Sequence, residues 1–392
     1  MELNLNNTEI AFKIKSNKDL KRALFLFNAI SQPFMVKLGN VFTRLALRLK
    51  APIAWVIKPT IYKHFVGGET IEECISTVDK LKGFKVHSIL DYSVEGGNDE
   101  ESIHATMLET LKSIRNASAN PAIPFAVFKP TAFANQHLFE HADPIKPLEG
   151  EMEKEYYRFR SRVNVLCNEA FKYRVPLMVD AEDTWYQHLV DETVIEMMKR
   201  YNREKAIVFN TLQMYRTDRL EFLKRSIEEA REDNFYLGMK FVRGAYMEKE
   251  RLRAFEKGYP SPIHPNKAAT DEAFDSAIRI SIENADIVSI FCGSHNEKSN
   301  LLFAEAIKAN NFSLDDNRFW FSQLYGMSDH ISFNLADAGY NVTKYIPYGP
   351  VKSVMPYLLR RAEENTSVSG QTSRELKLIR SEIKRRKQSL KA

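Results

Sequence analysis

Leu237-Gly238-Met239-Lys240-Phe241-Val242, running straight into Arg243-Gly244-Ala245-Tyr246, is the stretch whose reading decides the fold. Its first six residues are short and mostly apolar, as a strand buried on both faces should be. A cation, Arg243, then stands where the strand ends. Working outward, the same pattern recurs at Val86–Leu90, Phe125–Phe128, Leu177–Val179, Ala206–Phe209, Ile287–Phe291, Phe319–Phe321 and Val342–Ile346. Between these runs lie amphipathic helix candidates: Glu151–Tyr173, Asp191–Tyr201, Thr217–Glu232, Lys267–Glu283, Glu297–Lys308 and a shorter Ser328–Asp337. Eight strand–helix units, joined by right-handed crossovers, predict an α/β protein, a (β/α)8 TIM-type barrel over residues 67–370. A doubly wound open sheet is the competing topology. The chain has neither G-x-G-x-x-G nor G-x-x-x-x-G-K-[ST], which argues against a Rossmann or P-loop turn.

The flanks read differently. Ala11–Ile30 and Met35–Leu49 are helical in pattern, with Pro33 and Pro52 as breaks, so residues 1–66 are expected to form a helical arm. Near the other end, Tyr345-Ile346-Pro347-Tyr348-Gly349-Pro350 predicts a last strand, then a final helix over the barrel rim. That helix carries Arg360, Arg361 and Glu364, with Arg360 and Glu364 on one face. Paired guanidinium groups suit a carboxylate or phosphate, although Arg-Arg elsewhere is commonly a solvated face.

The chain has 392 residues, 44% hydrophobic and 27% charged, the composition of an ordinary globular protein. Its net charge of +5 is localised. Residues 371–392 carry eight Lys/Arg and two Glu, while the other 370 carry 48 basic and 49 acidic groups. Nothing therefore suggests a nucleic-acid-binding body. Cys74, Cys167 and Cys292 are scattered, which fits reduced thiols in a cytoplasmic setting. Met1-Glu2-Leu3-Asn4 has no basic n-region and is not arginine-rich, which argues against a secretory or transit peptide, and the longest apolar run, Ala23–Val36, is too short and polar to span a bilayer.

In a barrel enzyme the chemistry sits where strands end. Those positions give Lys129, Asp180, Gln213, Arg243, His295-Asn296, Gln323 and Tyr345. Each has an ordinary alternative as a cap, a loop residue or a core hydrogen bonder; their joint placement is what matters. Asp180, Glu182, His295 and His330 could ligate a metal, but no H-E-x-x-H or strand-one H-x-H supports one. Asp180 lacks the acidic partner a glycosidase pair needs. One acid among several cations instead suits an anionic substrate beside a polyanionic cofactor.

Val179-Asp180-Ala181-Glu182, Gln213-Met214-Tyr215, Lys240-Phe241-Val242-Arg243-Gly244-Ala245-Tyr246, Ser294-His295-Asn296, Phe321-Ser322-Gln323-Leu324-Tyr325-Gly326-Met327 and Tyr345…Arg360-Arg361-Ala362-Glu363-Glu364-Asn365 resemble the motifs of the proline dehydrogenase family. The resemblance runs from about Phe65 to Asn365 in one order. It implies a distorted (β/α)8 flavoenzyme that oxidises L-proline to Δ1-pyrroline-5-carboxylate by hydride transfer from proline C5 to N5 of FAD. On it, Arg360, Arg361 and Lys129 bind the substrate carboxylate, and Leu324 and Tyr345 wall the ring. Asp180 and Lys240 are the catalytic candidates, Asp180 holding Lys129 in place. Ala181, Gln213, Lys240, Val242, Arg243, Gly244, Ala245, Tyr246, Lys267, Ser294, His295, Asn296, Gln323, Arg361 and Glu364 line FAD.

Three positions depart from the family pattern: Lys240, where many bacterial members carry Arg, Met247, and His264-Pro265. The chain has no room for a fused aldehyde dehydrogenase, so a separate pyrroline-5-carboxylate dehydrogenase is expected downstream. Electrons are expected to reach a quinone. Leu376, Ile379 and Ile383, with Leu390, form an apolar stripe flanked by Lys377, Arg380, Lys384, Arg385 and Lys387. A basic helix of this kind could dock peripherally on the inner face of the membrane; a solvated or disordered tail is the alternative. Two competing functions remain. A trans-4-hydroxyproline dehydrogenase is disfavoured by the bulk of Tyr345, and a non-catalytic flavin-binding barrel by the intact set of charged residues.

Overall fold

The computed structural model describes residues 3–32, 34, 54–94, 99–143, 146–367 and 369–389. Its strands are β1 His87–Tyr92, β2 Ala126–Phe128, β3 Leu177–Val179, β4 Val208–Gln213, β5 Leu237–Val242, β6 Val288–Gly293, β7 Phe319–Leu324 and β8 Val342–Tyr348. They form one sheet in the order β1-β8-β7-β6-β5-β4-β3-β2, and the recorded registers are all parallel. With helices between successive strands, the chain has the (β/α)8 TIM-type barrel fold.

Two compact units divide the chain, Met1–Glu95 with Gln323–Ala392, and Gly96–Ser322. The cut therefore falls inside β7, and the expected divisions at residues 66 and 370 do not coincide with it. Both terminal segments share a unit with β1 and β8.

Within Gly96–Ser322, aromatic packing fixes the strands. Phe125 meets Phe209, Phe291 and Trp320 edge-on, with ring centroids 5.5, 5.3 and 5.2 Å away. β4 starts later than the expected Ala206 for a definable reason. The Asn202 side-chain oxygen accepts from the backbone N–H groups of Ile207 and Val208 at 2.9 and 2.8 Å, ending the preceding turn there. The strand then continues through Asn210, Thr211 and Gln213, polar residues that hide it from an apolar-run reading. Asn210 donates to Asp191 at 2.9 Å and Thr211 to the Val179 carbonyl at 2.7 Å, so both are buried without an unmet polar group. Helices Glu100–Ala119 and Met247–Lys257 were not anticipated. The first buries mainly threonine, serine and alanine beside two isoleucines, and the second leaves Leu252 and Phe255 exposed, so neither shows a clean apolar stripe.

In the other unit, the expected helix Ala11–Ile30 is two helices, Thr8–Phe12 and Asn17–Ile30. Ser16 separates them: its hydroxyl accepts from Asp19 N at 3.1 Å while the Asp19 carboxylate accepts from Ser16 N, a capping box. The candidate Met35–Leu49 lies outside the described residues. The tail is helical over Ser369–Ser389. Its Leu376 and Ile379, with Leu378, are buried against Ala11, Phe12, Leu20, Ala23 and Phe27, and Ile383 packs on the same cluster. Arg386 donates to the carbonyls of Lys15 and Phe12, both at 2.9 Å. This corrects the expectation of a lipid-docking stripe: the apolar face is spent on the N-terminal arm, and Leu390 lies outside the described residues. Among the described residues, no helix is long and apolar enough to cross a membrane.

Candidate active site

In Gly96–Ser322, the ends of β2 to β6 present the expected charges. Asp180 follows β3, and its backbone N–H is held by the Phe128 carbonyl at 3.0 Å. Lys240 points from β5, 6% exposed, and its Nζ donates to Asp180 Oδ1 at 2.5 Å. Asp180 thus pairs with Lys240, sixty residues away in the chain. Lys129, half-buried, follows β2. Two residues on, Thr131 donates both its N–H and its hydroxyl to the Glu182 carboxylate, at 3.1 and 2.8 Å. Burial pushes the Glu182 carboxyl up, while the Thr131 bonds and the Lys129 charge pull it back. Glu182, a possible metal ligand by sequence, thus straps the loop after β2 to the loop after β3.

Arg243, after β5, is fixed from three elements. It donates to Asp271 at 2.7 Å, to Ser294 Oγ at 2.8 Å and to Ser299 Oγ at 2.9 Å, with its guanidinium 4.5 Å from the Phe274 ring centroid. Lys267 also pairs with Asp271, which together hold the carboxyl below its ordinary range despite partial burial. Asn296 caps the helix Glu297–Ala309, accepting from Lys298 and Ser299 N–H groups, with half-buried His295 beside it. Gln213 closes β4 almost fully buried, and its Oε1 has no hydrogen-bond partner. Gly244 has φ +123°, and a Cβ there would stand 2.6 Å from the Tyr215 ring. Only glycine tolerates both conditions. Val242 and Tyr246 are half-buried, whereas Gly244 and Ala245 are exposed; Ala181 is half-buried beside Asp180.

The other unit carries the remaining candidates. Tyr345 sits in β8, 8% exposed, its carbonyl accepting from Tyr325 N at 2.9 Å. Leu324 ends β7 and packs against a cluster that includes Phe65, Met327, Val354 and Leu358. Gln323 is buried, its Oε1 accepting from Ser332 at 2.7 Å. Arg360 and Arg361 are half-buried on the helix Val351–Ser367, with Arg361 5.4 Å from the Tyr357 ring centroid. Glu364 belongs to the same helix, and its side chain lies outside the described residues. His330 is buried in the helix Asp329–Asp337.

A family model described as proline dehydrogenase matches residues 74–374. The chain belongs to the proline dehydrogenase family. It is 36% identical to the carbapenem antibiotics biosynthesis protein CarD of Pectobacterium carotovorum subsp. carotovorum, over 82% of this chain and 83% of that protein. It is 41% identical to proline dehydrogenase 1, mitochondrial, of Drosophila melanogaster, over 62% of this chain and 37% of that one. A hydroxyproline dehydrogenase of Xenopus laevis is 31% identical over 96% and 88%. Among solved structures, proline utilization A from Bdellovibrio bacteriovorus, inactivated by N-propargylglycine, matches with a TM-score of 0.70 at 20% identity. That match covers 92% of this chain, which spans only about a third of the longer protein (36%).

Several polar residues of this proline dehydrogenase family member escaped the sequence reading. Thr131, Asp271 and Ser299 hold loop cations and loops in place, and buried Glu250 accepts from Thr184 N and Oγ1 at 2.7 and 2.5 Å. None lies at a strand end. A search for acids and hydroxyls on the first two turns of the helices beside each strand-end cation would have found Asp271 and Ser299.

Proposed function

We propose that this chain oxidises L-proline to Δ1-pyrroline-5-carboxylate with FAD. The observation that carries the reading is the buried Lys240–Asp180 pair beside a fixed Arg243 and a glycine at positive φ. The residues fit a flavin. Gln213 Oε1 is a buried acceptor in want of a donor, which a flavin ring N–H can supply. Arg243, Ser294, His295, Asn296, Lys267, Gln323, Glu364, Ala181, Val242, Ala245 and Tyr246 are the other residues proposed to hold it. When bound, FAD supplies the acceptor for the hydride that leaves proline C5.

The protein's own work is charge and position. Arg360 and Arg361, with Lys129, bind the substrate carboxylate through charge-assisted hydrogen bonds. Leu324 and Tyr345 wall the ring, so that C5 faces the acceptor. Lys240 places a cation, held by Asp180, where negative charge develops, and the amine gives up its proton as the imine forms. Electrons leave for a quinone, and a separate dehydrogenase consumes the product.

Tyr345 separates proline from 4-hydroxyproline. Its phenol occupies space that a ring hydroxyl would need, and Tyr345→Ser removes it. The ratio of kcat/KM for L-proline over trans-4-hydroxy-L-proline should fall by roughly 10–200-fold in that variant, the scale of one steric contact in a pocket. A wild-type protein that turns over hydroxyproline as well as proline would overturn the assignment and favour the hydroxyproline reading.

A further inference from the structure

His137-Leu138-Phe139-Glu140-His141 lies on a short helix, Gln136–His141, that follows the turn after Lys129. Positions i, i+3 and i+4 share one face of a helix. Leu138 and Phe139 turn the other way and are buried, Phe139 against Phe159 and Tyr186 at centroid distances of 5.7 and 4.7 Å. The polar face is exposed. On it His137, Glu140 and His141 bring three ligand atoms within 4.8 Å of one another.

Two details go beyond proximity. His137 Nδ1 and Glu140 Oε2 are 3.4 Å apart. Two ligands bound at about 2.0–2.1 Å to a tetrahedral zinc lie about 3.3–3.4 Å from each other, so this pair needs no rearrangement. His141 Nδ1 lies 2.9 Å from the His137 carbonyl oxygen. A carbonyl only accepts, so Nδ1 carries the hydrogen and the lone pair of the neutral ring is on Nε2. Metal-binding histidines are oriented in this way, donating their second ring N–H to a carbonyl or carboxylate. The scaffold beneath is also anchored. Asn135 accepts from His137 N at 3.0 Å and donates its own N–H to buried Glu155 at 3.0 Å.

We propose that His137, Glu140 and His141 form a surface site for a divalent metal of the zinc class. Two imidazoles and a carboxylate are a known zinc ligand set, and the fourth position is open to water. A six-residue helix is marginal alone, so a bound metal stabilises it. Only the Pro130–Phe133 turn, strapped by Thr131 to Glu182, and the cap at Asn135 separate this helix from Lys129. Metal loading therefore stiffens the segment that presents Lys129. The competing reading is a plain His137–Glu140 ion pair on a solvated face.

The full-length protein, freed of metal by chelation and dialysis, is titrated with zinc chloride by calorimetry, and thermal unfolding is recorded with and without zinc. The expected result is one zinc per chain, a raised unfolding temperature, and at least about tenfold weaker binding in His137→Gln and in His141→Gln. The double variant should lose both the binding and the thermal shift while unfolding at the temperature of the metal-free wild type. Equal zinc stoichiometry and affinity in the wild type and the double variant would overturn the proposal, as would no zinc binding by the wild type.

Discussion

Asp329→Ala is expected to destabilise the protein by about 3–5 kcal/mol, the scale of leaving a buried charge without its partner. Asp329 begins the helix after β7 with its side chain 9% exposed. It receives Lys15, from the turn between the two arm helices, and Lys344, from β8, each at 2.9 Å. Lys344 is 1% exposed, so removing the carboxylate strands an ammonium group in the interior. The same residue sets a pH dependence. Burial pushes the Asp329 carboxyl up, but the two lysine charges outweigh it and hold the carboxyl well below the usual range. A depressed carboxylate contributes stability that is complete above about pH 4 and is lost as the pH falls toward its folded value. Denaturant or thermal midpoints of wild type and variant should therefore differ widely at pH 7 and converge in strong acid. A difference below about 1 kcal/mol at pH 7 would contradict the buried-charge argument.

The second large effect concerns the arginine pair. Arg360→Met and Arg361→Met should each weaken the use of proline by about 1.5–3 kcal/mol, roughly 10–150-fold in kcat/KM. The double variant should lose roughly 10²–10⁴-fold if the two act independently, and less if they share one carboxylate oxygen. Both side chains are half-buried on the helix Val351–Ser367, and Arg361 lies over the ring of Tyr357, which belongs to the buried cluster with Val354, Met355 and Leu358. KM for proline should rise in both variants, with any change in stability read separately from the thermal midpoint. Steady-state kinetics with a soluble dye acceptor gives the KM. Unchanged KM in both single variants would remove the carboxylate clamp from the account.

Where residue type and position suffice, the sequence was readable. Helix Lys267–Glu283 was bounded to the residue, because Asn266 caps it and its apolar positions keep helical spacing. β5 was likewise bounded correctly. β4 slipped because its buried residues include Asn210, Thr211 and Gln213, whose hydrogen bonds come from other elements. The same limit governs the site. That Asp180 and Arg243 stand just past strand ends is local information. That Asp180 meets Lys240, and that Arg243 is held by Asp271, Ser294 and Ser299, depends on register between strands and helices far apart in the chain. The tail shows the converse. The stripe Leu376, Ile379, Ile383 was legible as one helix face, but which surface covers it was not, because that surface comes from residues 11–27.

The central claim is that proline reduces a flavin held by this chain. The full-length protein, purified and kept anaerobic, is scanned from 300 to 550 nm before and after L-proline is added, with trans-4-hydroxy-L-proline in a parallel cuvette. The account predicts flavin absorbance that bleaches on adding proline, with formation of a product two hydrogens lighter, and much slower bleaching with hydroxyproline. A flavin that stays oxidised with proline, or a protein that retains no flavin when reconstituted with FAD, would contradict it.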